Sequence, residues 1–297
     1  MKTKRILFMI VLIVGTVQFS LAQELLDILD KEQKDIPQFT SATFKTTRIA
    51  IGHSIETRKK GVLEVFVANR FWNTPELKSQ SFFVDKLSSR IALEYGLSDN
   101  LSIGFGGTSF DGLFDGYLKY KLIKQRVGSN GSPISVTVLQ STTYNSNAFP
   151  DVPTNFSDRL AFTTQALIAK KFSSDFSLQI APSFIHREGL TPDSDPKNHF
   201  AIGFGGRYKL GNHVSFVSEY YYTANPIQSY DTYNPFAMGI NWELGDIMLQ
   251  FMLTNAQRIA DDAFITQTQN NFNFKNPNLN FGFNFTYIIH FKRNLKK

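Results

Sequence analysis

From residue 62 onward, apolar side chains recur at every second position of the chain. In the last such segment the apolar members are Leu279, Phe281, Phe283, Phe285, Tyr287, Ile289 and Phe291. A helix would scatter these rings around its circumference, whereas a strand carries them on one face. The period of two therefore predicts an all-β protein.

Twelve segments fit this template. They are 62–72, 86–96, 101–109, 114–125, 134–144, 159–172, 176–187, 198–210, 213–223, 233–244, 246–255 and 279–291. Most have the roughly 9 to 11 residues with which a tilted strand crosses a membrane. The sequence thus predicts a closed antiparallel transmembrane β-barrel of twelve strands, with fourteen strands as the alternative.

The connections between these segments alternate in length. The short ones are 97–100, 173–175, 211–212 and 245, and the long ones are 73–85, 145–158, 188–197, 224–232 and 256–278. Two depart from this rule, since 126–133 is of middling length and 110–113 is brief. Short turns on one rim and long loops on the other are typical of outer-membrane barrels, and we expect the short rim to face the periplasm.

Alternation alone does not exclude a soluble barrel, whose apolar face turns inward. The N-terminus, however, has the layout of a secretory signal, with basic residues at 2, 4 and 5, an apolar run over 6–14, and Ser20-Leu21-Ala22 before an expected cleavage. The alternative is an uncleaved anchor helix, which needs a longer apolar run. Tyr and Trp lie near segment ends, where interfacial girdles lie. Together these features favour a membrane barrel.

The absence of cysteine excludes disulfides, thiolate metal sites, Cys nucleophiles and lipoprotein acylation. The formal charge is +6, but three of the 31 basic side chains lie in the expected signal, which leaves 28 against 25 acidic ones. Nucleic-acid binding needs a concentrated basic stripe, which this balance does not provide. We expect no nucleic-acid partner.

We therefore expect a signal peptide over 1–22, a periplasmic N-terminal segment over 23–43, the barrel over 44–291 and a C-terminal tail over 292–297. Within the second region, 24–36 is predicted to be a short amphipathic tether or docking helix that ends at Pro37. Twelve strands place both chain ends in the periplasm.

The segment 44–57 raises a question of parity, because counting it as one strand would give thirteen, and bacterial single-chain barrels have even numbers. Two interpretations remain. The segment lies inside or beneath the barrel as a plug, with Lys45, Arg48, His53 and Glu56 as its candidate residues, or it breaks at Gly52 into two short strands.

Seven short stretches carry a resemblance to a known family. They are ATFKTTR at 42–48, GHSIET at 52–57, LEYGLSD at 93–99, DGYLKYK at 115–121, KFSS at 171–174, GGRYKL at 205–210 and TNAQ at 254–257. Together they resemble a family of β-barrel proteins from Bacteroidota that is carried as a domain of unknown function. The resemblance spans about 40–291 and implies a Gram-negative outer membrane, but it supplies no activity and no catalytic residues.

The last segment also resembles the C-terminal signal by which the barrel assembly machinery recognises such proteins. Its alternating members are Tyr287, Ile289 and Phe291. Here Phe291 is followed by residues 292–297, so recognition would use an internal version of the signal. The expected partners are this machinery and outer-membrane lipid.

If the apolar set faces lipid, the alternate set faces the lumen, where charges are tolerated. The charged candidates for lining the lumen are Glu64, Arg70, Arg90, Glu94, Asp115, Lys119, Lys121, Arg159, Lys171, Arg187, Arg207, Lys209, Glu219 and Glu243. In one interpretation these charges pair and fill a closed barrel. In the other, the surplus of basic groups lines a narrow path for a small anionic solute. Inward glycines, such as Gly104 and Gly203, would leave room for a path.

Enzymatic chemistry has little support in the sequence. The five histidines are dispersed and none has the spacing of a metal or catalytic motif, and no cofactor or metal is expected. Acidic pairs at 193–195 and 261–262 are too few ligands for a Ca²⁺ site. Glycine-rich stretches at 104–107 and 203–206 precede no predicted helix, which excludes a nucleotide loop.

The leading functional hypothesis is a small or gated channel for small solutes, and its first candidate lining residues are Arg90, Arg159, Lys171 and Arg207. The alternatives are a closed structural or interaction barrel that presents 256–278 to an outside partner, and a barrel-embedded lipid hydrolase.

A closed barrel resists dissociation by detergent, so we predict that an unboiled sample migrates differently from a boiled one on a denaturing gel. Identical migration, together with free solubility of the mature chain in plain buffer, would contradict the membrane barrel.

Overall fold

The computed structural model describes residues 38–73, 85–127, 131–147, 155–188, 194–272 and 279–291. The expected signal peptide, the predicted 24–36 helix and the C-terminal tail lie outside the described residues. The chain forms two compact units. Within the smaller one, residues 1–39 and 126–131, Gln38–Phe39 pairs antiparallel with Arg126–Val127.

The larger unit, residues 40–125 and 132–297, contains a closed barrel of twelve strands. The strands are β1 (Val62–Trp72), β2 (Lys86–Gly96), β3 (Leu101–Thr108), β4 (Leu113–Ile123), β5 (Ser135–Asn145), β6 (Leu160–Lys171), β7 (Phe176–Arg187), β8 (Asn198–Lys209), β9 (Val214–Thr223), β10 (Phe236–Leu244), β11 (Ile247–Thr254) and β12 (Asn280–His290). Each pairs antiparallel with the next, and β12 closes on β1 with His290 opposite Val62. The prediction of a twelve-stranded antiparallel barrel is confirmed.

The side chains alternate as a membrane barrel requires. On β2, Ile91 is 63% exposed on the outer face, whereas its neighbour Arg90 is 1% exposed. Most outer positions are apolar, and the inner positions include most of the buried polar side chains. These exposures show that the apolar set faces outward. Because a closed ring pairs every strand, it also leaves no unpaired strand edge in contact with lipid.

The connections 97–100, 172–175, 210–213 and 245–246 lie on one rim, which we call the short-turn rim. The opposite rim, which we call the long-loop rim, carries the connection between β11 and β12 and its short helix α1 (Asp261–Thr266). The sequence did not predict α1. Within the described residues, no helix is both long and apolar enough to cross a membrane.

Predicted and observed strand bounds agree within two residues, except that β10 begins at Phe236 and not at 233. Before it, the Asn234 side chain accepts a hydrogen bond from the Thr223 backbone N–H at 3.1 Å, in place of a ladder bond. A second correction concerns Arg159, which was predicted to begin the strand 159–172. It belongs instead to a short 3₁₀ turn (Ser157–Arg159) that precedes β6.

A charge on the outer face at mid-strand should destabilise the barrel in lipid. We predict that Ile91→Arg, at the centre of β2, lowers the free energy of unfolding by about 2–4 kcal/mol, because a lipid-facing arginine near the bilayer midplane costs that much. Phe172→Arg, in a rim turn, should cost about 0–1 kcal/mol. The measurement is urea titration in lipid vesicles, and equal effects of both variants would contradict the outward orientation.

Candidate functional site: a hairpin inside the barrel

Residues 43–57, which we call the hairpin, lie inside the barrel. Arg48 and His53 form an antiparallel bridge, and the Ile49 N–H donates to the Gly52 carbonyl at 3.0 Å, which closes the turn 49–52. Residues 46–55 are all buried. The chain then continues to the short-turn rim, where the Gly61 N–H donates to the Gly96 carbonyl at 3.0 Å. The hairpin thus turns inside the lumen and returns to the short-turn rim to begin β1.

One carboxylate of the wall binds the tip of the hairpin. Oε2 of Glu219, on β9, accepts hydrogen bonds from the backbone N–H groups of Ala50, Ile51 and Gly52 at 2.8, 2.6 and 3.0 Å. Three donors that converge on one oxygen form an anion-binding nest, in which hydrogen bonds to a charged acceptor are the strong ones. Glu219 therefore fixes the position of the turn.

Amide side chains of three other strands bind the carbonyl groups of the same turn. Asn284 donates to the Ala50 carbonyl at 3.0 Å. Gln250 and Asn241 donate to the Ile49 carbonyl at 2.9 and 3.4 Å. We call Glu219, Asn241, Gln250 and Asn284 the turn socket. Sequence reasoning selected only Glu219, because it considered charged inward positions, although the three amides occupy the same alternate set.

The tip also needs glycine. A Cβ added to Gly52 would lie 1.8 Å from the Tyr221 hydroxyl oxygen. On the wall, a Cβ on Gly203 would lie 2.5 Å from the Tyr221 ring, and one on Gly205 would lie 2.5 Å from Ile49 Cδ1. These inward glycines therefore make room for Tyr221 and the hairpin, and not for an open path as expected from the sequence.

The arms of the hairpin bond to the wall on both sides of the lumen. Thr47 Oγ1 donates to Glu64 on β1 at 2.6 Å, and Lys119 on β4 donates to the Thr47 and Glu56 carbonyls at 3.2 and 2.5 Å. On the other side, Gln179 on β7 accepts from the Ile55 N–H at 2.8 Å. Since the contacts reach strands all round the ring, the hairpin occupies the cross-section of the lumen.

Ion pairs and apolar contacts complete this fit. Near the short-turn rim, Lys45 pairs with Glu243 at 2.9 Å and Glu56 with Lys121 at 3.1 Å. Deeper in, the hairpin isoleucines belong to one buried apolar cluster with wall and helix residues; its members include Ile49, Ile51, Ile55, Leu139, Leu167, Tyr221 and Phe264. The interface of the hairpin therefore combines ion pairs and hydrogen bonds with an apolar cluster.

The hairpin meets α1 through three buried side chains. Arg48 Nη2 and Asp261 Oδ2 lie 3.0 and 3.2 Å from His53 Nε2, and Arg48 Nη1 lies 3.5 Å from Asp261 Oδ1. Burial, helped by the charge of Arg48, lowers the pKa of His53 to about 3 although Asp261 opposes the shift. Burial would raise the pKa of Asp261, but His53 and Arg48 outweigh it and hold that pKa below its usual value. The imidazole is therefore neutral and the carboxylate ionised at neutral pH.

Helix α1 covers the hairpin from the long-loop rim. Its residues 261–266 are all buried, and Phe264 packs edge-on against Tyr221 at 5.2 Å between ring centroids. Asp262 pairs with Arg187 at the end of β7 at 2.6 Å. Beside this pair lies a cavity of about 370 Å³, which we call the mouth cavity; its lining includes Asp111, Thr143, Arg159, Ala161, Arg187, Arg258 and Asp262.

The remaining lumen candidates bond to the wall or to the rims. Within the wall, Arg90 pairs with Asp115, Glu94 accepts a hydrogen bond from the Tyr117 hydroxyl at 2.9 Å, Arg70 donates to Asn284 at 2.8 Å, and Arg207 Nε lies 3.3 Å from Ser215 Oγ. Towards the rims, Lys171 donates to the Ser41 carbonyl at 2.9 Å, Arg159 donates to the Asn145 and Asn147 carbonyls, and Lys209 is partly exposed at the end of β8. The structure brings Glu64, Lys119, Lys121, Glu219 and Glu243 onto the hairpin, and Arg187 onto α1. Arg70 contacts the turn socket through Asn284.

A closed ring of twelve antiparallel strands with an apolar exterior and a polar interior defines a membrane β-barrel. Residues 44–289 match the family described as Membrane bound beta barrel domain (DUF5777). The chain belongs to this family, which confirms the resemblance to a barrel family of unknown function. Because the match begins at residue 44, the hairpin is part of the family domain.

Solved porin structures are similar at a low level. The NanC porin is 10% identical, with 77% of this chain and 98% of that chain covered and a TM-score of 0.47. The KdgM porin is 9% identical, with 77% of this chain and 99% of that chain covered and a TM-score of 0.48. The outer-membrane expressed OmpT of Vibrio cholerae is 10% identical, with 79% of this chain and 100% of that chain covered and a TM-score of 0.37. These values are too low to transfer a cargo or mechanism. No curated protein matches the chain.

The buried histidine predicts a pH dependence. Between its ordinary pKa of 6.5 and about 3, the unfolded chain binds a proton that the folded protein does not, so stability falls as pH falls below 6.5. Besides Arg48 and Asp261, Lys119 and Tyr117 of β4 face the ring. We predict that acidification from pH 7 to 5 costs the wild type on the order of 1–2 kcal/mol more than it costs His53→Gln.

The measurement is urea unfolding at both pH values. His213→Gln, at an exposed turn, is the matched control and should retain the slope of the wild type. An identical slope in wild type and His53→Gln would contradict a buried neutral imidazole.

Proposed function

We propose that this protein is an outer-membrane channel for small solutes that is closed by its own hairpin. The observation that carries the proposal is the turn socket, which holds the tip of a segment that is continuous with β1 but belongs to no strand of the ring. Membrane barrels of bacteria lie in the outer membrane, with short turns in the periplasm. On that basis the hairpin enters from the periplasmic side, where both ends of the barrel lie.

The size of the barrel supports a lumen that the hairpin fills. About eight strands enclose a space that side chains alone fill, whereas 16 to 18 strands leave a water-filled channel. Twelve strands lie between these cases. In this barrel a second layer, the hairpin, fills what the wall side chains leave, so its displacement would open a passage of solute size.

The chemistry of the hairpin contacts supports reversible closure. The tip is held by side chain to backbone hydrogen bonds, which water can replace on both partners when the hairpin leaves. When a protein folds, each such bond replaces hydrogen bonds to water. The net gain in stability is only about 1 kcal/mol per bond, or about 1.5–3 kcal/mol when one partner is charged. Each bond at the tip is therefore exchanged for bonds with water at a modest net cost when the hairpin leaves.

The other hypotheses have less support from the described residues. Of the loop that would be presented to an outside partner, residues 259–266 are buried in the mouth of the barrel, which leaves little of this part for a partner. We propose no enzymatic activity, and lack of turnover of lipid substrates in detergent would agree with this. The partners that we propose are outer-membrane lipid and the barrel assembly machinery.

Ion pairs within the lumen bear on the anion preference that the sequence suggested. Basic groups of the wall pair with acidic groups of the hairpin and of α1, as Lys121 does with Glu56 and Arg187 with Asp262. Arg90 pairs within the wall with Asp115. Much of the basic surplus is therefore engaged while the hairpin is in place, and the proposed channel does not require anion selectivity.

Loss of the carboxylate in the turn socket should open the channel. We predict that Glu219→Ala raises the open probability in planar bilayers by about tenfold or more, because three hydrogen bonds to the turn are lost. The matched control is Glu188→Ala, which removes a carboxylate at the long-loop rim, away from the turn socket. This variant should have the open probability of the wild type.

A reversible lock makes the test specific. Because a Cβ on Gly205 lies 2.5 Å from Ile49 Cδ1, cysteines at 49 and 205 can approach the roughly 3.5–4.5 Å Cβ spacing of a disulfide, and the chain has no other cysteine. In Ile49→Cys/Gly205→Cys/Glu219→Ala, oxidation should abolish conductance and reduction should restore it. A Glu219→Ala protein that folds, as its gel shift shows, yet never conducts would contradict the proposal.

A further inference from the structure

The outer face of β5 and β6 is polar at the middle of the strands. Gln140 is the central residue of β5, and it points outward together with Thr142. Thr164 of β6 lies opposite Gln140 in the register and also points outward. Central outward positions on other strands include Ile91 on β2 and Phe204 on β8, which are large and apolar. At β5 and β6 the wall therefore presents hydrogen-bonding groups to the hydrocarbon.

The Gln140 amide is only partly satisfied within its own barrel. Its Oε1 accepts a hydrogen bond from Thr164 Oγ1 at 2.5 Å, and its Nε2 donates to the Ser141 carbonyl at 3.2 Å. The amide nitrogen carries two hydrogens, so one N–H is left without a partner among the described residues. Lipid tails offer no acceptor, and an unsatisfied polar group in hydrocarbon is costly. The acceptor for this N–H must therefore come from a protein that contacts this face.

The side chains around Gln140 are small. Thr142 lies opposite Gly116 of β4, and Val138 lies opposite Ala166 of β6. Between transmembrane helices, small side chains let two backbones approach closely, and Gln or Thr side chains bond across the contact. Strands are surrounded by the same lipid, so this face has the composition of a contact between membrane proteins. We call it the outer patch, and its members are Gly116, Val138, Gln140, Thr142, Thr164 and Ala166.

The strand ladder is interrupted beside the outer patch. Pro182 of β7 is exposed on the outer face and has no N–H to donate. The paired residues of β6 and β7 stop at Gln165–Ser183 and resume at Ile168–Ile180. In sheets, proline is largely confined to edges and bulges. The wall is thus irregular at this edge of the outer patch, and a protein packed there would shield the irregular backbone from lipid.

A second copy of this chain fits the outer patch for a geometric reason. All copies have the same orientation in the membrane, so two copies that associate symmetrically are related by a two-fold axis along the membrane normal. Such an axis brings residues of equal depth together, and an axis beside Gln140 brings the two Gln140 side chains together. An amide is self-complementary, because each can donate its free N–H to the oxygen of the other. Both N–H groups that the separate barrels leave unpaired are then satisfied.

We propose that two copies of this protein associate side by side in the membrane through the outer patch, with the two Gln140 amides bonded to each other across the two-fold axis. The contact lies on the outer face, so each copy keeps its own lumen and hairpin. Association of this kind goes beyond the proposed channel function and is independent of it.

Single cysteines test the contact, because the chain has none of its own. Thr142→Cys places a thiol in the outer patch. Phe251→Cys places one on the outer face of β11, on the opposite side of the ring of twelve strands. In lipid vesicles of the purified protein, a short bis-maleimide should cross-link Thr142→Cys into a dimer with a yield at least about fivefold higher than that of Phe251→Cys, because only a two-fold contact through the outer patch brings the thiols at 142 together.

The role of the amide is tested in the same background. Gln140→Leu/Thr142→Cys should lower the dimer yield at least about fivefold, since both hydrogen bonds between the copies are lost. The matched control is Ser218→Leu/Thr142→Cys. Ser218 points outward near the middle of β9, but its hydroxyl already donates to the Ala237 carbonyl at 3.2 Å, so this variant should retain the yield. A gel shift on heating checks folding, and Gln140→Met, which keeps the length of the side chain, replaces Gln140→Leu if the latter does not fold.

Equal dimer yields from cysteines at 142 and 251, or a yield at 142 that neither Gln140→Leu nor Gln140→Met lowers, would overturn the contact. Cross-linking in outer membranes distinguishes a second copy from another partner. A product of Thr142→Cys that contains a different protein in place of a second copy would overturn self-association. None of these outcomes depends on conductance.

Discussion

The structure depends on how one turn is hydrogen-bonded. A membrane barrel turns its apolar side chains outward, so its interior must satisfy polar groups without help from the lipid. Here the wall does this by binding backbone: Glu219 accepts three N–H groups of the turn 49–52, and the Gln250 amide donates to the Ile49 carbonyl. Without the hairpin, the turn socket would leave a carboxylate and three amides facing the lumen with nothing but water. The wall and the hairpin are therefore complementary parts of one interior.

Two segments fill the lumen from opposite rims and meet at Arg48, His53 and Asp261. The hairpin precedes β1, and α1 lies in the last connection, so the contact joins the two ends of the barrel sequence. An ionised Asp261 beside a neutral His53 keeps Arg48 paired in a dry site. Any movement of α1 that withdraws Asp261 would leave a buried arginine without its counter-charge, which is costly. Closure by the hairpin and cover by the helix are thus coupled.

The sequence predicts the ring well, because a period of two specifies both the strand and the face that each residue occupies. It predicts Glu219 and Lys119 as inward groups for the same reason. It does not reveal what they bind, since the partners at 47–56 lie far from them along the chain and no local pattern links the two. The amides of the turn socket share the inward pattern but carry no charge to single them out. Helix α1 is missed because six residues are too few for a helical period to stand out.

The central claim is that the turn 49–52 lies in the lumen. Because the chain has no cysteine, a single one at Ile51, which is 3% exposed, reports on this directly through its rate of labelling by a hydrophilic maleimide. Ile51→Cys should react at least about a hundredfold more slowly than Asp99→Cys, at an exposed turn, because labelling needs access to the thiol. It should become reactive when the protein is unfolded in urea. Equal labelling of both cysteines in the folded protein would contradict the account.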